Sequence, residues 1–169
     1  MEIAGLPLHP LVVHAAVVLI PLTALLTVGF AVLPRWRWLL RWPTAGASVL
    51  CIVLAYVATT SGRSLESSRP ELARLVREHS GRGDLLAKLT IVLAVVVVAA
   101  AFLLPGPSPL VSGRGERVSR GSVVDKVLPA LLVLAAVVVL VQVVLTGDSG
   151  ARAVWGLSLI HISEPTRRS

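Results

Sequence analysis

Long apolar runs alternate with short polar segments along this chain. Four runs, residues 11–33, 44–60, 85–104 and 127–146, consist almost wholly of Val, Leu, Ile, Ala and other uncharged residues. Each is close to the ~17–25 residues that carry an α-helix across the ~30 Å hydrocarbon layer of a bilayer. Only Lys88, near the start of the third run, brings a formal charge into any of them. The pattern predicts an all-α membrane protein, an antiparallel four-transmembrane-helix bundle, with residues 1–156 forming one four-span domain.

The polar segments refine that outline. "SSRPELARLVREHSGRGD", residues 67–84, predicts a short interfacial helix in the middle loop. Ser68 and Glu71 have capping-box spacing, and Pro70 falls in the tolerant first turn. Leu72, Leu75 and Val76 form an apolar stripe, with Glu71, Arg74 and Glu78 spaced for ion pairs. Gly81 supplies an exit from that helix, and Asp84 then caps span three, with Lys88 within reach of it. Around the first and third loops, Arg35, Arg37, Arg41, Arg114, Arg117, Arg120 and Lys126 gather with few acids. By the positive-inside rule these loops belong in the cytoplasm, which leaves both termini and the middle loop outside. Trp36, Trp38 and Trp42 interleave with the first arginines as an interfacial belt, and Trp155 anchors the other side.

Composition agrees with the runs. Of 169 residues, 55% are hydrophobic and 15% charged, where a soluble domain carries roughly 25% charge. The net charge of +7 points to anionic lipid headgroups, and no nucleic-acid partner is expected. Cys51 is the one cysteine, so no internal disulfide forms. Residues 157–169, "LSLIHISEPTRRS", break with the Ala/Val/Leu/Arg character of the rest. Residues 157–167 read as a translated transposase-end sequencing adapter, so this tail and its His161 are set aside as non-native.

"LHPLVVH" at residues 8–14, "REHSGRGDLL" before span three and "TGDSGARAVWG" after span four together resemble a bacterial family of predicted four-span membrane proteins, domain-of-unknown-function family 2231. Here Ala15 and Ala16 replace the Phe-Pro that usually follows the second histidine, and Trp155 stands where a tyrosine is usual. The resemblance implies a bacterial cytoplasmic (inner) membrane location. Some members look joined to Rieske-type iron–sulfur domains, which implies a redox context. It supplies no catalytic residue, and no nucleophile–base arrangement, Walker loop or dinucleotide fingerprint is present, so binding is expected rather than catalysis.

The proposed topology gathers His9, His14, His79 and Asp84 at one end of the bundle. His14 lies ~6 Å below the lip of span one, and His9 is ~140° round the helix from it. Three readings remain open. A histidine cluster can lock helices through interhelical hydrogen bonds, as a structural subunit of a membrane assembly. His9, His14, His79 and Asp84 can hold a divalent metal. Alternatively His14 and His79 can ligate haem b in a redox accessory protein working with a membrane redox partner. Gln142, alone in span four, is expected to make a helix–helix hydrogen bond.

Overall fold

In the computed structural model, residues 2–3, 6–68, 73–104 and 123–163 are described. Helix α1 (Leu8–Val32) leads through a 3-10 turn (Pro34–Trp36) into α2 (Arg37–Ser68), followed by α3 (Ala73–Leu103) and α4 (Val123–Ser163). A two-residue antiparallel pairing, Glu2–Ile3 with Leu6–Pro7, precedes them. All four helices are long and apolar enough to span a membrane. They overshoot it as well: the 32 residues of α2 make a rod of about 48 Å. Pro21, Pro43 and Pro129 lie inside helices; neighbouring helices make such breaks in the backbone ladder tolerable in a membrane.

The helices form a square, with α1 and α3 each packed on α2 and α4 and diagonal to one another. Small side chains set the spacing. Ala16, Ala24, Ala31, Ala100, Ala101 and Ala136 are buried beside Phe30, Ile20, Leu93, Val97, Leu132 and Val139. The larger exposed groups, such as Val18, Val95, Leu134 and Val144, point outward. Lipid tails solvate those as well as a protein core would, so close packing of small residues holds membrane helices together. Thr23 and Cys51 add an α1–α2 hydrogen bond, Oγ1 to Sγ 3.3 Å.

Arginines from the start of α2 close one end. Arg37 is buried and donates to the carbonyls of Phe30 (3.3 Å) and Ala31 (3.0 Å). Arg41 donates to the Ala101 carbonyl. Both guanidiniums thus satisfy the last carbonyls of α1 and α3, where the helix dipole favours a cation. Trp42 meets Phe102 edge-on at 5.6 Å.

The segment after α2 differs from expectation. Residues 73–84 are helical, but they are the first turns of α3, not a separate interfacial helix. No exit forms at Gly81, and Asp84 is a mid-helix residue instead of an N-cap. It pairs with Arg63 of α2 rather than Lys88, and Glu78 pairs with Arg82. A Cβ at Gly81 or Gly83 would meet nothing within 4 Å, so both glycines sit in the helix without a steric role. Helical packing along α2 and α4 outweighs their weak local preference for a turn. Glu71 of the expected capping box and Pro70 of its first turn lie outside the described residues.

Candidate functional site

At the end of the bundle opposite Arg37 and Arg41, two histidines are held in the same way. His9 stands at the start of α1. Its Nδ1 lies 3.0 Å from the Ala58 carbonyl and 3.2 Å from Ser61 Oγ, both on α2. His79, in the second turn of α3, places Nδ1 3.1 Å from the Thr146 carbonyl and 3.4 Å from Ser149 Oγ, both on α4. Ser61 and Ser149 in turn donate to those same carbonyls at 3.1 and 2.8 Å. A glycine follows each serine and lies beneath the imidazole. A Cβ on Gly62 would come 3.1 Å from His9 Cε1, and one on Gly150 would come 3.0 Å from His79 Cε1.

The clasp is therefore one device used twice. A carbonyl at position n, a serine at n+3 and a glycine at n+4 receive a histidine from the preceding helix. "ATTSG" (58–62) and "TGDSG" (146–150) carry it at the ends of spans two and four. Hairpins α1–α2 and α3–α4 thus carry the same clasp.

The geometry fixes the tautomers. A carbonyl oxygen only accepts, so Nδ1 of each imidazole carries a proton and donates it, and in the neutral ring the lone pair is then on Nε2. In each clasp Nε2 is the ring nitrogen farther from the glycine, at 3.8 Å and 3.7 Å from the Cβ positions. Both rings line one cavity of about 520 Å³, within the ~300–1,000 Å³ typical of small-molecule and cofactor sites. Ala16, Ile20, Ala58 and Val143 contribute to its mainly apolar wall.

Polar links brace the rim. Arg63 grips Asp84 through both carboxylate oxygens at 2.8 and 2.9 Å. Ser80 donates to Glu66 at 3.1 Å. Gln142 donates to the Arg82 carbonyl at 3.0 Å, the helix–helix bond expected of it. Arg82 itself donates to Glu78 and to the Leu145 carbonyl.

Of the expected site residues, His9, His79 and Asp84 reach the cavity wall. His14 does not. It is exposed, and its Nδ1 donates to the Pro10 carbonyl 2.6 Å away, one turn back on its own helix. Its depth in span one was legible in the sequence, but the helix turns it away from the bundle axis. Among the described residues, no three His, Cys, Asp or Glu side chains gather to hold a metal ion, so the four-ligand set of His9, His14, His79 and Asp84 does not assemble. The serine–glycine receivers were missed in the sequence, although the repeated Ser-Gly pair near the ends of two spans is a signal that could have found them.

A family model described as "Predicted membrane protein (DUF2231)" matches residues 5–162. No curated protein and no solved structure matches the chain.

Proposed function

The chain belongs to the DUF2231 family of predicted membrane proteins, and we propose that it is a redox accessory holding haem b between His9 and His79. One observation carries the reading. Both imidazoles donate Nδ1 to a backbone carbonyl and line a common cavity, and among the described residues no hydrogen bond reaches either Nε2. That is the outer-shell arrangement of metal-binding histidine: the second ring nitrogen donates to a carbonyl, fixing the tautomer and raising the basicity of the ligating one. Two protein ligands are too few for zinc, which takes three or four. They suit an iron whose other four ligands belong to a macrocycle, and helix bundles are natural holders of such groups.

The histidine end is assigned to the outer side of the bacterial cytoplasmic membrane. The opposite end carries Arg35, Arg37 and Arg41 without a neighbouring acid in that loop, the bias of cytoplasmic loops.

Purified from haem-replete cells, the protein is expected to show a Soret band and the sharp visible bands of a six-coordinate haem on reduction. His9→Ala and His79→Ala should each abolish them, and His14→Ala should not. A colourless preparation that leaves the spectrum of added haem unchanged would overturn the proposal. A structural reading has its own support, since each histidine joins the two helices of one hairpin. His9→Asn distinguishes the two, because an amide can donate to the Ala58 carbonyl but cannot ligate iron. Full stability with no haem lost in that variant would favour a purely structural clasp.

A further inference from the structure

Three of the four seams of the square carry side-chain hydrogen bonds: α1–α2 at His9 and Thr23, α2–α3 at Arg41, Arg63 and Ser80, and α3–α4 at His79, Arg82 and Gln142. Among the described residues, none joins α1 to α4. At the arginine end that seam holds a groove of about 620 Å³, which shares no residue with the histidine cavity. Its lining is wholly apolar, with Ala31 and Val32 from the end of α1 and Pro129, Ala130, Val133 and Val137 from α4. Val32 is 55% exposed and Val137 47%. The groove therefore lies on the lateral surface of the bundle, where bilayer lipid is the solvent.

Its mouth is cationic. Lys126 stands one turn before Pro129 and Ala130, on the face of α4 that continues through Val133 and Val137. Helical side chains lean toward the N-terminus, so Lys126 extends from the groove toward the headgroups at the arginine end. On the other side of the seam, α1 ends at Val32 and the chain reaches Arg35 in the next turn. Arg35 and Lys126 are both exposed, and among the described residues neither makes an ion pair or a side-chain hydrogen bond. The neighbouring Arg37 and Arg41 are already committed to helix carbonyls. Asp125, the acid beside Lys126, has its Oδ2 buried and lies within electrostatic reach of Arg37. Its charge is thus met inside the bundle, and the two cations at the mouth stay uncompensated.

We propose that this groove binds one acidic phospholipid from the leaflet at the arginine end. An acyl chain lies against Val32, Ala130 and Val137, and Arg35 and Lys126 hold the phosphate. Charge decides the class of lipid. A zwitterionic headgroup brings its own ammonium to a mouth that already has two cations, whereas an acidic headgroup brings only negative charge. Basic pockets between transmembrane helices hold acidic headgroups in this way. The lipid also fills the one seam that the described side chains leave without a polar link. The inference is independent of the haem reading.

The test titrates the full-length protein in detergent with phosphatidylglycerol or phosphatidylcholine of identical acyl chains, and native mass spectrometry counts the bound lipid. Phosphatidylglycerol is expected to bind at least tenfold more tightly. A basic residue near an acidic membrane surface is worth about fivefold in affinity, so Arg35→Gln and Lys126→Gln should each remove about that factor. The double variant should bring the two lipids level. Arg77→Gln combined with Arg152→Gln removes the same charge from exposed positions at the histidine end and should leave the preference intact. Ala130→Phe, which puts a ring into the groove, should weaken both lipids, and millimolar inorganic phosphate, which has no chain, should displace neither. Equal affinity of the two lipids for the wild type would overturn the proposal. So would an equal loss of preference in the histidine-end double variant, unchanged binding in Ala130→Phe, or displacement by inorganic phosphate. A lipid-free dimer mass would overturn it too, by giving the groove to a second copy of the chain.

Discussion

At the scale of single residues, the glycines decide as much as the histidines. Gly62 and Gly150 leave room for an imidazole to lie against the neighbouring helix, and a methyl group there would press on ring atoms at 3.1 and 3.0 Å. Such contacts are tighter than normal packing, so the ring must shift and its Nδ1 bond must lengthen. Gly62→Ala or Gly150→Ala is expected to destabilise the folded protein by about 1–3 kcal/mol, the usual cost of overpacking, and to displace the imidazole of His9 or His79, and with it any haem bound there. Thermal unfolding in detergent, followed alongside the Soret band, checks both effects. Ser61→Ala should be milder, because the Ala58 carbonyl still receives His9; a loss of about 1 kcal/mol is typical of one hydrogen bond. The histidines were legible in the sequence as polar groups at the ends of apolar runs. Which of them faced inward was not, because that depends on the rotation of α1. His9 lies at the start of that helix rather than before it, and this turns His9 inward and His14 outward.

Among the elements, α3 departs furthest from its sequence pattern. Gly81, Gly83 and Asp84 carry local signals for a stop and a new start, yet one helix runs through all three. Continuity aligns His79 with Thr146 and Ser149 of α4 and brings the Arg82 carbonyl within reach of Gln142 and Thr146. A break at Gly81 would have set the residues before it at a different angle. The hydrophobic runs revealed the existence and order of the helices because lipid demands long apolar spans. Their extensions past the bilayer carry no such demand and depend on partners that periodicity does not name. The two kinds of polar link in this region should differ in worth. Gln142→Leu removes a link in the half-buried α3–α4 seam and is expected to cost about 0.5–2 kcal/mol, as interhelical polar contacts do. Asp84→Ala breaks a pair whose side chains are 65% and 38% exposed, so its effect should stay within about 1 kcal/mol. Unfolding midpoints in detergent would show the order reversed if the exposed α2–α3 pair, and not the α3–α4 bond, contributed more to stability.

For the whole molecule, charge and chemistry are divided between two ends. One end has arginines folded onto helix C-termini and indoles beside them; the other has the clasps, the cavity and all the carboxylates that line it. The square arrangement follows from short connections between α1, α2 and α3, but the repetition of one clasp in both hairpins emerges only when the clasps are seen together. Because both odd-numbered helices start at the same end, both histidines and both receiving motifs share one side of the membrane. The sidedness then determines which compartment the site serves. Cys51 is 1% exposed, so it is silent to a bulky, membrane-impermeant maleimide and can stay in place as single cysteines are added. Ser67→Cys puts a thiol at an exposed position of the histidine end, and Arg35→Cys puts one at an exposed position of the arginine end. In intact spheroplasts the first variant should label and the second should label only after the membrane is permeabilised. The opposite pattern would place the site at the cytoplasmic face, where the arginine-rich end would have to lie against the positive-inside bias.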